Sequence, residues 1–241
     1  MYLSIIVPAY NEEKNLDTTI KSFFSYLEKQ DYDYEIIIIN DGSVDKTKLV
    51  AQNLIKNSGA VRLINNEANQ GKGAAVRRGV QAAEGDYQLF IDADNATSLD
   101  HLDKVWPYFE KGYDIVIGSR SHRDVSGARQ KIKQPLWKRT LGNVGNYCIQ
   151  LLGIWGIWDT QCGFKIFSRA AAEIIIPKMT INRWAFDVEM LVIARIHNLK
   201  IAVIPIVWNN SSMSRVGMKG YIVALKELLA IKRNLLTGKY K

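Results

Sequence analysis

Cysteine is scarce in this chain, and a long hydrophobic run is missing. The 241 residues include two cysteines, Cys148 and Cys162, whose spacing fits neither a disulfide framework nor a zinc motif, so we expect a reducing compartment. No apolar stretch reaches the roughly 20 residues that a membrane-spanning helix needs. The N-terminal segment has no basic region and predicts a first strand rather than a signal peptide. With 47% hydrophobic residues, the chain is expected to form one domain over residues 1–241.

Acidic residues are absent from one long segment. The whole chain has 32 basic and 24 acidic residues and a net charge of +8, which favours anionic partners or simply a soluble surface. Between Val125 and Trp158 there is no Asp or Glu. The segment instead carries Arg129, Lys131, Lys133, Lys138, Arg139, Trp137, Trp155 and Trp158. Basic residues interleaved with tryptophan are typical of a membrane interface.

Strand and helix patterns alternate along residues 1–120. Short β-branched runs separated by helices of about ten residues predict an α/β fold with a doubly wound, mostly parallel sheet. Residues 121–241 are less regular. There we expect a strand over Ile201–Val207 that lies near an edge, because Pro205 interrupts it. An amphipathic helix is predicted over Val216–Leu236, where it would either lie in a membrane interface or cover the sheet.

Acidic loops follow three of the predicted strands. Asp41 follows one strand, Asp92 and Asp94 follow another, and Glu12 lies after the first. Ligands of such sheets bind at the carboxyl ends of the strands. Two carboxylates in an Asp-x-Asp pair can hold a divalent cation, which commonly also binds substrate phosphates. A helix cap beside a solvated aspartate is the alternative for an isolated pair.

Several other phosphate and metal motifs are missing. An EF-hand would need an oxygen ligand and then a glycine where Ala96 and Thr97 stand. The segment from Gln70 to Gly73 lacks the leading glycine and the Lys-Ser/Thr pair of a P-loop, and the loop after the first strand, PAYNEE, is not a dinucleotide-binding turn. That loop also lacks the glycine-rich pattern of a nucleotidyltransferase. Dehydrogenases and P-loop ATPases are therefore not expected.

Five short motifs, taken in order, resemble those of the family 2 inverting glycosyltransferases. They read SIIVPAYNEE, INDGS, NQGKGAAVRRG, LFIDADNAT and IGSR. Further along, DTQCGFKIFSRAAA, RWAFDVEMLVIA and VIPIVWNNSSMSRV are similar to the dolichyl- and polyprenyl-phosphate sugar transferases, most of all to the dolichyl-phosphate β-glucosyltransferase branch. The resemblance implies a glycosyltransferase A-type fold with a nucleotide-sugar half over 1–120 and an acceptor and membrane half over 121–241.

The resemblance also implies roles for individual residues. It implies substrate contacts from Pro8, Tyr10, Glu12, Asp41, Lys72, Asp92, Gln161, Gly163 and Phe164, with Asp41 fixing the nucleotide base. It implies catalytic roles for Asp94, Arg120, Asp187, Glu189 and Arg215. Asp92 and Asp94 would hold Mg²⁺ or Mn²⁺. Ala96 stands where mannosyl-transferring relatives often carry glutamine, which favours the glucosyl branch.

The expected reaction is transfer of a hexose from UDP-glucose to a polyprenyl or dolichyl phosphate, at the cytoplasmic face of a membrane. A lipid phosphate is already an anion and needs no general base, whereas a hydroxyl acceptor would need one, with Asp187 or Glu189 as the candidate. GDP-mannose as donor, a polysaccharide hydroxyl as acceptor, or a membrane-surface module without activity are the alternatives. Nucleic acid is not expected as a partner, because exposed carboxylates repel its backbone.

Overall fold

The computed structural model describes residues 2–130, 136–209 and 218–241. Within them the strands are β1 (Leu3–Ala9), β2 (Tyr34–Asp41), β3 (Val61–Asn66), β4 (Tyr87–Ile91), β5 (Ile115–Ser119), β6 (Arg129–Gln130), β7 (Phe164–Ser168), β8 (Ile201–Pro205) and β9 (Val207–Trp208). The α-helices are α1 (Leu16–Leu27), α2 (Thr47–Asn57), α3 (Lys72–Ala82), α4 (Trp106–Glu110), α5 (Leu136–Leu152), α6 (Arg169–Ile175), α7 (Phe186–Ile196) and α8 (Met218–Leu236). Two 3₁₀ helices span Leu99–Lys104 and Ile176–Lys178.

Seven strands form one sheet in the order β3-β2-β1-β4-β7-β5-β8. All neighbouring pairs are parallel except those of β7, which runs antiparallel to both β4 and β5. The expected α/β class and mostly parallel sheet are therefore confirmed. Since β7 inserts between two strands of the first half, residues 1–120 and 121–241 share this sheet.

Both faces of the sheet are buried. This explains the continuous apolar run in the sequence of β2. Ile36 and Ile38 pack on one side, among residues of α1 and the 3₁₀ helix over Leu99–Lys104. Ile37 and Ile39 pack on the other side, among residues of α3, α6 and α7. Side chains alternate between the two faces along a strand. A strand that is covered on both sides is therefore apolar at nearly every position.

Two predicted elements differ from the structure at prolines. The apolar spacing of Leu99–Phe109 predicts a single helix, which is wrong, because a 3₁₀ helix ends at Lys104 and α4 begins at Trp106, with Pro107 in its first turn. Proline has no N–H for a continuing helix and fits only a first turn. The strand expected over Ile201–Val207 ends at Pro205, and Val207 belongs instead to β9, which pairs with β6. The predicted edge position is confirmed, since β8 is the last strand of the sheet.

Candidate active site

The carboxyl ends of β1, β4 and β5 meet at one edge of the sheet, which is the edge where β7 begins. Asp92 and Asp94 follow β4, and Arg120 follows β5. Lys72 starts α3, and Asp187 lies in the first turn of α7. The fold thus brings together acidic and basic side chains from four separate parts of the chain.

Asp92 is the centre of this cluster. Its carboxylate forms an ion pair with Lys72, and its backbone N–H donates to the carbonyl oxygen of Gly163 at 3.2 Å. A Cβ added to Gly163 would lie 2.7 Å from Asp92 Oδ1, so the carboxylate lies directly over the glycine. Burial opposes the charge on Asp92, but the Lys72 ammonium outweighs it and holds the pKa of the carboxyl below its ordinary value.

The charge of Asp94 is less well compensated than that of Asp92. Its Oδ1 accepts the backbone N–H of Ala96 at 3.0 Å. The intervening Asn95 has a positive φ of 54°, and its side chain accepts from the Ser22 hydroxyl at 3.0 Å, which fixes this turn against α1. Burial and then the negative charge of Asp92 raise the pKa of Asp94. A cation bound by both carboxylates would relieve the repulsion between their charges.

A divalent ion fits this pair of carboxylates. Hard cations such as Mg²⁺ prefer oxygen ligands, and they commonly use one or two carboxylates together with substrate phosphates. Among the described residues no group of three or more His, Cys, Asp or Glu side chains could hold a metal. Asp92 and Asp94 would therefore bind the ion only together with oxygen atoms from a ligand.

A second ion pair lies beneath the first. The Lys165 Nζ is fully buried and donates to Asp187 Oδ1 at 2.6 Å and to the carbonyl oxygen of Cys162 at 2.6 Å. It also lies 5.0 Å from the centre of the Phe90 ring. Burial raises the pKa of Asp187, although Lys165 and Lys72 oppose that change. The Asp187 carboxylate is therefore already bound by Lys165, and its catalytic role stays a prediction.

Arg120 forms a bidentate ion pair with Asp159, which begins the motif DTQCGFKIFSRAAA but was given no role by the resemblance. Its Nε and Nη2 atoms donate to Asp159 at 2.8 and 2.7 Å, and its backbone N–H donates at 2.6 Å. Its guanidinium lies 4.9 Å from the centre of the Trp208 ring. Asp124 joins the two loops by accepting from Ser119 Oγ and from the backbone N–H groups of 158 and 159. The geometry of Arg120 is thus fixed from three sides.

Three predicted site residues have another place in the structure. Both Glu189 oxygens accept from residues 180 and 181, and Oε1 also accepts from the Tyr240 hydroxyl, so this buried carboxylate is hydrogen-bonded within the fold and its catalytic role stays a prediction. Phe164 is fully buried in the core, with its ring 6.2 Å from that of His101, and its substrate contact likewise stays a prediction. The Asp41 carboxylate accepts four hydrogen bonds from residues 66–71, so it has no acceptor direction left for a base.

The remaining predicted residues that the structure describes lie at or near the strand ends. Pro8 is part of β1, Tyr10 is 41% exposed just after it, and the Glu12 side chain accepts from Asn15 Nδ2 at 2.7 Å. Gln161 Nε2 donates to the Trp184 carbonyl oxygen at 3.2 Å. Arg215 lies outside the described residues. So do the side chains of Arg129, Lys131, Lys133, Trp137, Lys138 and Arg139.

A cavity of about 840 Å³ opens beside Arg120. One end is polar, with His122, Gln161 and the Arg120–Asp159 ion pair, and Arg123 gives it a net positive charge. Arg123 stacks on Trp158, with 4.5 Å between its guanidinium carbon and the ring centre. The walls come from α5 and α8 and include Ile149, Tyr221, Ala224, Leu225 and Leu228. This combination suits an anionic group attached to an apolar chain.

Apolar side chains are also exposed on the outer side of the same two helices. We call these residues the outer apolar face, and they are Val144, Tyr147, Leu151 and Trp155 in and after α5, and Ile222, Leu225, Leu229 and Leu236 in α8. Each is between 45 and 78% exposed. Apolar side chains exposed together on neighbouring helices are typical of interaction surfaces. None of the described helices combines the length and the apolarity that crossing a bilayer requires.

Comparison with known proteins agrees with this geometry. The sequence profile of glycosyl transferase family 2 matches residues 4–175. A dolichyl-phosphate β-glucosyltransferase of Homo sapiens is 37% identical over 99% of this chain and 77% of its own length. One from Trichomonas vaginalis is 36% identical over 96% of this chain and 71% of its own length.

Among solved structures, glucosyl-3-phosphoglycerate synthase from Mycobacterium tuberculosis, in complex with Mn²⁺, UDP-glucose and phosphoglyceric acid, has a TM-score of 0.71. It is 21% identical, and the match covers 96% of this chain and 80% of that one. At this level of identity the likeness establishes the glycosyltransferase A-type fold.

Proposed function

Because the chain belongs to glycosyl transferase family 2 and is a glycosyltransferase, we propose that it moves glucose from UDP-glucose to dolichyl phosphate or another polyprenyl phosphate. The relatives named above as dolichyl-phosphate β-glucosyltransferases support this acceptor. The observation that carries the proposal is the cavity beside Arg120. Its basic end matches a phosphate, and its walls of α5 and α8 match a hydrocarbon chain.

The cluster around Asp92 suits the donor half of the reaction. Breaking the bond between glucose and the diphosphate leaves negative charge on the diphosphate, which fixed cations stabilise. Lys72 pairs with Asp92, and release from this ion pair would let it bind a donor phosphate. A divalent ion held by Asp92 and Asp94 would add charge neutralisation of the leaving group.

The acceptor half needs positioning rather than deprotonation. A phosphate monoester is an anion at neutral pH, so its oxygen can attack without a general base. This agrees with an Asp187 carboxylate that is bound by Lys165 and with a Glu189 carboxylate whose oxygens accept from residues 180 and 181 and from Tyr240. A hydroxyl acceptor would require a free base at this place. The phosphate would bind at Arg120 and Arg123, with its chain between α5 and α8.

The outer apolar face provides a means of reaching a lipid substrate. Aromatic and aliphatic side chains of amphipathic helices insert into the boundary between head groups and acyl chains. We propose that α5 and α8 lie on the cytoplasmic face of a membrane, where a polyprenyl phosphate could enter the cavity between them. The acid-free segment 125–158 would then face anionic lipid.

Purified protein with Mn²⁺ or Mg²⁺ should be offered UDP-glucose or GDP-mannose, with and without a short polyprenyl phosphate in detergent. We expect release of UDP that depends on both the metal and the lipid phosphate. Arg123→Ala should raise the KM for the lipid phosphate about tenfold, since one charge-assisted contact is lost. Arg169→Ala, at the start of α6, is the matched control. Release of GDP instead would show that the donor is GDP-mannose. Binding of UDP without lipid-dependent release would rule out a lipid phosphate as the acceptor.

A further inference from the structure

Glu227 lies on the inner side of α8 and binds the start of α7. Its Oε2 accepts the backbone N–H groups of Trp184 and Ala185, at 2.8 and 2.9 Å. Ala185 is the N-cap residue of α7, so its N–H is one of the groups that the helix leaves unpaired, and Trp184 directly precedes it. A carboxylate at this end of a helix is favourable both as a hydrogen-bond acceptor and as a charge. Glu227 therefore caps α7 from another helix.

The capped segment, residues 181–186, touches three parts of the candidate site. The Asn182 carbonyl oxygen accepts the N–H of Ala74 at 3.0 Å, in the first turn of the helix that begins with Lys72. The Trp184 carbonyl oxygen accepts from Gln161 at 3.2 Å, in the loop that carries Gly163. Asp187 follows the segment directly. A shift of residues 181–186 would thus move the cations and the carboxylates together.

The contact between this segment and α3 leaves no room for adjustment. A Cβ added to Gly71 would lie 2.5 Å from the Asn182 carbonyl oxygen. One added to Gly73 would lie 2.6 Å from Cβ of Phe186. Backbones packed this closely transmit a displacement instead of absorbing it. The position of Lys72 is therefore coupled to that of the capped segment.

We infer that Glu227 is a positioning residue that couples α8 to the sugar-transfer site through residues 181–186. The helix that carries part of the outer apolar face is in this way joined to Lys72 and Asp187. This polar contact differs from the packing of Leu228 and Ile231, which are buried apolar residues of α8. Apolar packing fixes only the depth of a helix, whereas two directed hydrogen bonds fix its register against α7.

The test rests on the proposed transfer reaction and compares Glu227→Ala with Glu227→Gln. We expect the Ala variant to lower kcat about tenfold with the KM for UDP-glucose within about twofold, since positioning and not ground-state binding is lost. The Gln variant keeps an oxygen acceptor and should return kcat to within about threefold of the wild type. Glu173→Ala, an exposed glutamate of α6, is the control.

Amide hydrogen exchange separates this inference from the proposed reaction. In the Ala variant we expect faster exchange in peptides covering 181–189 and 71–76, with β1 unchanged. If the wild type transfers no sugar to any lipid phosphate, the proposed function fails while the exchange experiment still tests the coupling. Unchanged kcat in the Ala variant, or faster exchange confined to α8, would overturn the inference. Should the Ala variant not fold, Glu227→Asp, which withdraws the carboxylate by one methylene, should lower kcat without a change in the KM for UDP-glucose.

Discussion

Replacing Gly163 by alanine should disable the enzyme while leaving its fold intact. The added Cβ would lie 2.7 Å from Asp92 Oδ1 and closer still to the other carboxylate atoms. Unstrained carbon–oxygen contacts begin at about 3.3 Å. Even the farther oxygen would therefore have to retreat by more than half an ångström, and the carboxylate as a whole by about 1 Å or more. The side chain of Asp92 is 32% exposed, so it can swing aside without disturbing the core.

This movement of the Asp92 carboxylate should lower kcat. A displacement of about 1 Å in a catalytic group can lower the rate about 100-fold, and we expect a loss of this size in kcat of sugar transfer. The assay is metal-dependent UDP release together with a thermal unfolding scan. Gly59→Ala is the matched control, since its added Cβ would meet nothing within 4 Å. A Gly163→Ala variant with wild-type kcat would refute the assigned packing of Asp92 on the glycine.

Three more substitutions test the charges. Asp94→Asn should abolish metal-dependent turnover and, in metal-free protein, slightly raise Tm, because burial and Asp92 already disfavour the charged form and raise its pKa. Glu35→Gln should cost about 1–2 kcal/mol of unfolding free energy at pH 7. Burial is outweighed by hydrogen bonds that lower the pKa of Glu35 in the fold, so this stability is present above its ordinary pKa and lost as pH falls through the folded value. Urea unfolding at pH 7 and in acid should show the difference shrink. Lys165→Met should cost about 3 kcal/mol by leaving Asp187 buried and unpaired, and adding Asp187→Asn should recover part of it, whereas an equal loss in the double variant would contradict the ion pair.

The sequence predicts the strands of the first half well because their signals are local. The run Tyr87–Ile91 is apolar and stops at Asp92, and β4 has those same bounds. The place of β7 could not be predicted in this way. Phe164–Ser168 indicates a strand, but its antiparallel insertion between β4 and β5 depends on pairing with distant residues. The two-residue strands β6 and β9 are too short to produce a periodic signal.

The residues of the site likewise fall into those with a local sequence signal and those that depend on contacts with distant residues. Residues at strand ends, such as Asp92 and Arg120, are predicted from their position in the chain. Asp159 and Glu227 are not, because each acts through a contact with a segment more than 35 residues away in sequence. Lys165 did leave a signal, since a lysine in the middle of the apolar run FKIF needs a buried anionic partner. Identifying that partner as Asp187 still required the fold.

The balance of charge in the cluster bears on the proposed binding of a divalent cation. Three carboxylates, those of Asp92, Asp94 and Asp187, face the two ammonium groups of Lys72 and Lys165, while Arg120 and Asp159 neutralise each other. One negative charge is left over, and it falls on Asp94, whose pKa is raised. A divalent ion would turn this deficit into a surplus of one positive charge, which is the sign that an anionic diphosphate requires. A donor phosphate bound by Lys72 would release Asp92 for the metal, so donor and metal would each improve the site for the other.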